Sequence, residues 1–261
     1  CWAPPGQCGL AFVLHRAMDN AGAVIGPLLA LALLSWEVPL GHIFLLAIVP
    51  AIICLVLSLK IQEAAPAKPV AKPVAFDWRL GGMPPVFKKY LVVVAIFTLG
   101  NSSNMFLLLR AKEIGMPTEY VPLLWAAVSA VAMIFSVPLA ALSDKVGRIT
   151  VLLCGYTAYG IFYFGISAIE NNTNMLFLLF GFYGLFMGAT EGVEKALVVD
   201  LVAEDRWGTA FGWFNLTAGL LLLPASIVFG FLYQGISPTC AFLFSGCCAV
   251  AAALLPAFFV A

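Results

Sequence analysis

Apolar and polar positions alternate along this chain in long blocks: extended uncharged runs are separated by short charged or Pro-rich breaks. A helix needs about 20 consecutive apolar residues to cross the hydrocarbon of a bilayer. Residues 20–36, between Asp19 and Glu37, make a short run that Ala17 and Met18 extend by a turn. Residues 38–59 make a second, with His42 at its entrance. The pattern then breaks over 60–89, where A-A-P-A-K-P-V-A-K-P-V recurs. Proline lacks the N–H and collides with the preceding turn, so this stretch predicts an extended, semi-rigid linker. Further runs follow at 90–109, 121–142, 149–169 and 174–197. After Arg206 no charged residue occurs through Ala261, a length that suits two spans, and the turn cluster at 234–239 divides it. The pattern predicts an all-α, polytopic membrane helix bundle with about eight transmembrane helices.

Composition agrees. The chain is 63% hydrophobic and 10% charged, with 21 Phe and 6 Trp, whereas soluble domains run at about 45–50% apolar and 25% charged. Zero formal charge gives no field that would attract nucleic acid. The 7 cysteines are scattered through apolar segments without a C-x-x-C or Cys/His cluster. They read as small buried hydrophobes, with no metal site and no cofactor expected. Cys1 opens the chain without an initiator Met or signal-peptide pattern, and the sequence reads as a piece of a longer one.

Orientation follows from the basic residues, which favour the cytoplasmic side. If the turn at 144–148 is cytoplasmic, alternation places Arg16, Lys60, Lys68, Lys72, Arg79, Lys88, Lys89, Lys145, Arg148, Lys195 and Arg206 there. Only Arg110 and Lys112 of the 13 Lys and Arg fall outside. Both ends and the linker are then expected in the cytoplasm.

That turn also carries the most specific motif, L-A-A-L-S-D-K-V-G-R-I at 139–149, with Asp144, Lys145, Gly147 and Arg148 as its polar knot. The pattern D-[K/R]-x-G-R resembles the loop signature of the major facilitator superfamily, found between the second and third spans of each six-span half. Ala140 stands where the family pattern opens with Gly, and Ile149 where it closes on a basic residue. A second stretch, G-A-V-I-G-P-L-L-A at 22–30, is similar to the superfamily's fifth-span pattern associated with antiporters, with Gly22, Gly26 and Pro27 matching. Small residues allow close backbone approach and Pro bends the helix, so this motif predicts a packed contact between halves. A weak internal repeat fits the same scheme: G-L-A-F at 9–12 and G-T-A-F at 208–211 lie six spans apart.

The resemblance implies residues 1–59 as the last two helices of an N-terminal half, 60–89 as the linker between halves, and 90–261 as a complete six-helix C-terminal half. Four N-terminal helices of a twelve-span parent would be missing. It implies a secondary active transporter in the plasma membrane, with a bacterial inner membrane expected, that moves a small solute by rocking its halves. Proton antiport, hence efflux, is expected ahead of uptake by proton symport.

Other residues draw attention as charges or polar groups inside or beside spans, where they are costly unless paired or functional. His15, Arg16 and Asp19 stand at the start of the first span, as an interfacial anchor or as part of a gate or proton relay. Glu191 and Lys195 are four apart in the order that favours a helix pair. Counting at 1.5 Å per residue from Asn174 puts Glu191 about 25 Å along its span. Glu191, Glu194 and Lys195 are expected to line a cavity or to lock against the Asp144 loop, with Glu191 the expected proton site. Gly184, Gly188 and Gly192 recur upstream and predict one close-packing face. G-N-S-S-N places Asn101, Ser102, Ser103 and Asn104 in mid-span, which predicts a helix break, an interhelical contact or a wet cavity. Asn215 and Trp125 are weaker candidates of the same kind.

Rival classes find less support. A lipid-acting membrane enzyme needs a clustered catalytic set, and the 2 histidines, His15 and His42, fall at opposite ends of the first two spans. A channel needs a filter repeated by symmetry, and none is visible. A membrane sensor or scaffold that transports nothing has no distinguishing motif here. The partners expected are the lipid bilayer, a small solute and protons.

Overall fold

The computed structural model describes residues 8–60, 80–117, 120–170 and 172–260, the side chains of 8–17, 40 and 257–260 excepted. Among them the regular structure is helical: α1 (Cys8–Ser35), α2 (Leu40–Leu46), α3 (Ile48–Leu59), α4 (Pro85–Gly100), α5 (Met105–Glu113), α6 (Val121–Val146), α7 (Arg148–Ala168), α8 (Thr173–Leu201), α9 (Trp207–Gly235) and α10 (Pro238–Val260). They supply 8 segments long and apolar enough to cross a membrane.

Two spans are divided, for different reasons. Between α2 and α3 the helix is interrupted at Ala47. Pro50 cannot donate to the carbonyl of Leu46 and its ring crowds that group. Between α4 and α5, residues 101–104 leave the helix in mid-span. Their side chains compete for backbone partners, as short polar residues do: Ser103 Oγ accepts from the Met105 amide at 3.4 Å. The run expected at 90–109 therefore becomes one discontinuous span, Pro85–Glu113. It starts within the predicted linker, because Pro85 suits a first helical turn, where its missing N–H costs nothing. Residues 61–79, the body of that linker, lie outside the described residues.

Packing runs through the helices in series: α6 lies against α8, α8 against α7, α7 against α10, α10 against α4, and α4 against α9. In lipid, helices associate through close fit and hydrogen bonds, since lipid tails are as apolar as leucine. Close fit is visible between α8 and α6. A Cβ at Gly184 would come within 2.6 Å of the Val128 carbonyl oxygen, and one at Gly188 within 3.1 Å of that of Ala132. Gly192, expected on the same face, has no atom within 4 Å of a would-be Cβ and takes no part. Between these helices Tyr156, Tyr159, Phe162 and Tyr163 of α7 are fully buried. Phe97 stacks on Tyr156 at 4.0 Å between ring centroids, and Tyr159 on Tyr163 at 4.2 Å.

α1 lies along α6. Gly22 and Gly26 are not at that seam: neither would bring a Cβ within 4 Å of another atom. The tight contact expected of the G-x-x-x-G-P motif is absent among the described residues, and Pro27 is half-buried in a continuous helix.

Candidate functional site

Charged and hydrogen-bonding side chains gather at three levels along the bundle. The first is the short connection after α6. α6 ends at Val146 and α7 begins at Arg148, leaving Gly147 alone between them at φ +97°. That conformation is cheap for glycine and strained for a residue with a Cβ. The tight turn puts Arg148 where it meets three helix ends at once. Its Nη2 lies 3.6 Å from Asp144 Oδ1 on α6, and its Nε forms a close ion pair with Asp200 Oδ2 on α8. Arg148 is 29% exposed and Asp200 46%, so water screens the pair and its static contribution is about 0–1 kcal/mol. Lys145 points outward, exposed. On the same side Arg206 Nη1 donates to the Gly82 carbonyl, and Lys88 Nζ donates to that of Gly81 at 3.3 Å.

The second level lies one to two turns further in. Tyr156 Oη donates to Glu194 Oε1 at 3.0 Å, and Tyr90 Oη of α4 donates to the Glu194 backbone carbonyl at 3.3 Å. Three helices thus meet at Glu194, which is itself half-buried. Glu191 is half-buried and Lys195 exposed. The sequence leads one to expect this trio to line a cavity or to lock against the Asp144 loop. The ion pair reaching that loop from α8 is made by Asp200, a residue sequence reasoning passed over.

The third level is the break at 101–104. Tyr159 Oη donates to the Gly100 carbonyl at 3.2 Å and lies 3.4 Å from Asn101 Oδ1. Tyr183 Oη donates to Asn104 Oδ1 at 3.1 Å. The tyrosines of α7 and α8 therefore satisfy groups that the interrupted helix leaves open, as a non-aqueous interior requires. Ser102 and Tyr163 are also buried, with hydroxyls that make no hydrogen bond among the described residues. Beyond the break, Tyr233 Oη donates to Glu113 Oε2 at 2.6 Å. Arg110 contacts the same oxygen at 3.5 Å and donates to the Ile169 carbonyl at 3.3 Å. This cluster ties α5 to α9 and to the end of α7, opposite the Arg148 side.

Other predicted residues sit on α1, on α9 and at the break. Asp19 is exposed on α1, and the side chains of His15 and Arg16 lie outside the described residues. Asn215 is exposed on α9, and Ser103 is half-buried at the break. Residues missed at first were Asp200, Tyr156, Tyr90 and the Arg110–Glu113–Tyr233 group. One signal was available: Tyr156, Tyr159 and Tyr163 recur at helical spacing on one face of a span.

Comparison with known proteins places this geometry. Residues 90–261 match the family model described as Major Facilitator Superfamily. An uncharacterized MFS-type transporter of Methanocaldococcus jannaschii is 34% identical over 258 residues, 96% of this chain and 64% of its own length. An uncharacterized protein of Mycobacterium tuberculosis is 26% identical over 238 residues, 87% of this chain and 56% of its own length. The chain thus spans less than two thirds of the length of these relatives. The matched region contains the Arg148 junction, the Glu194 level and the α4–α5 break, and this chain belongs to the Major Facilitator Superfamily.

Proposed function

We propose that this chain is part of a secondary active transporter of the plasma membrane, in which residues 90–261 form one six-helix half and α1–α3 belong to the other. It moves a small solute coupled to protons, with antiport, and so efflux, favoured over symport. The observation that carries the reading is the Arg148 junction. One guanidinium joins the ends of α6, α7 and α8 by ion pairs that are partly exposed. Such contacts are individually weak and reversible, as a lock must be if the cytoplasmic side is to open and close within a cycle. A permanent scaffold would gain nothing from holding its helix ends this way. α1, lying along α6, supplies the surface on which the two halves rock.

The test is reconstitution of the full-length protein in vesicles that enclose the pH dye pyranine. Amino acids, sugars, organic acids and lipophilic cations are added in turn under an imposed pH gradient. Antiport predicts that lumen pH moves against the solute's direction, and symport that it moves with it. Solute flux that leaves the dye silent removes proton coupling; absence of flux for every class removes the transporter reading. Asp144→Asn is expected to slow the conformational cycle while leaving solute affinity unchanged, because Asp144 biases a state and touches no solute.

A further inference from the structure

Protons need a group that can hold them inside the bilayer, and α8 offers three carboxylates toward its cytoplasmic end: Glu191, Glu194 and Asp200. Asp200 is committed to Arg148. Glu191 is half-buried and engaged in interactions of its own. We infer that Glu194 is the proton-carrying carboxylate of this bundle, with Tyr156 as the residue that positions it. This rests on the proton-coupled reading proposed above and replaces Glu191, favoured from the sequence, as the coupling group.

Chemistry at the contact carries the inference. Tyr156 Oη, itself fully buried, lies 3.0 Å from Glu194 Oε1. Among the described residues Glu194 makes no ion pair. A guanidinium or ammonium partner would hold a carboxylate ionised, since it can only donate; a phenol can donate or accept. When Glu194 is charged, the Tyr156 hydroxyl donates to it. When Glu194 is protonated, its own O–H can donate to Tyr156, whose hydroxyl turns to accept. The same two oxygens stay in contact in both states while the direction of the hydrogen bond reverses. No electrons move: a proton passes from water on the open side to a Glu194 carboxylate oxygen, and returns to water on the other side after the bundle has switched. Tyr90, bonded to the Glu194 backbone carbonyl at 3.3 Å, fixes this point of α8 against α4 whatever the charge on the side chain.

The surroundings keep the site simple. Tyr90 on α4 and Tyr156 on α7 face it, Lys88 and Lys89 directly precede Tyr90 on α4, and Glu191 and Lys195 flank it on α8 itself. α6 carries no ionisable residue before Asp144, α9 none before Tyr233, and α10 only the thiols of Cys240, Cys247 and Cys248. α1 brings His15, Arg16 and Asp19 at its first turns. The Glu194 proton is therefore controlled chiefly by Tyr156, by the flanking pair on its own helix and by water access.

An infrared pH titration of the reconstituted protein, without any solute, tests the assignment. The wild type is expected to show, apart from the bands of solvent-exposed carboxylates, one carboxyl band of distinct frequency that appears on acidification. The band should be lost in Glu194→Gln, kept in Glu191→Gln, and displaced in frequency and midpoint in Tyr156→Phe. Glu194→Asp retains an acid at the position and should keep a displaced band, which guards against a Gln variant that folds poorly. A band that survives Glu194→Gln, or that vanishes in Glu191→Gln, overturns the assignment. The pyranine vesicles separate the two levels of the argument. With a solute that gives a wild-type signal, Glu194→Gln should abolish the signal while exchange of labelled for unlabelled solute continues. An unchanged signal overturns Glu194 and leaves proton coupling standing. Wild-type flux without any signal removes the coupling reading, and the role of Glu194 with it.

Discussion

α3 and α8 make an instructive pair. The span Gly41–Leu59, which contains α3, is the most apolar of the eight, and the other described residues bury none of it; Thr173–Leu201 is among the least apolar, and they bury half of its apolar core. Hydropathy thus selects what enters the membrane and says little about what packs once there. With lipid as solvent, a leucine gains nothing by leaving tails for another helix. α8 is held instead by what α3 lacks: glycines that admit a neighbouring backbone, and phenols and carboxylates that find partners across helices.

The contrast is sharpest for large side chains. Tyr159→Ala removes a fully buried ring together with the donor to the Gly100 carbonyl, and large-to-small changes of this kind cost about 3–5 kcal/mol. Ile53→Ala, at a position of α3 exposed among the described residues, should leave the stability of this chain unchanged in the same assay, denaturant unfolding in micelles followed by circular dichroism. Equal losses at the two sites would break the comparison. A smaller effect is expected for Gly184→Leu, because its Cβ would press on the Val128 carbonyl; overpacking costs about 1–3 kcal/mol. Gly26→Leu in α1, with open space around it, should show no loss, and a loss there would reveal a contact the described chain does not contain. The smallest effect belongs to Asp200→Asn. Stability should fall by about 0–1 kcal/mol and the fall should shrink as salt is added, whereas the effect on transport rate should be much larger. A stability loss as large as that of Tyr159→Ala would make Arg148–Asp200 a structural pair and not a lock.

Much of this was legible before any coordinates. Runs of apolar residues marked the spans, and N-S-S-N at 101–104 pointed to a break, an interhelical contact or a wet cavity, of which the break and the contact are both present. The D-K-V-G-R turn identified its own glycine and arginine. What the sequence could not reveal was partnership across space. Asp200 sits 52 positions after Arg148, and only the antiparallel packing of α7 on α8 brings them together. Glu191 and Glu194 look equivalent along the chain; three residues turn the helix by about 300°, and it is Glu194 that meets Tyr156. The fifth-span glycines mark a contact without naming its partner, and no partner stands within reach of them among the described residues.

Gly147 has a mechanical consequence. With one residue joining α6 to α7, the connection holds no spare length. Sliding one helix past the other by a single residue would need about 1.5 Å of chain, and none is stored there. The two helices can pivot about this point like the arms of a compass, but they cannot shear. The four non-helical residues at 101–104 are a reserve of slack within the span, where the segment α5 can tilt or turn while α4 stays seated against α10. Lengthening the chain by one glycine after Gly147 would add a second reserve at the pivot, and so uncouple the swing of α6 from that of α7 without removing a single contact.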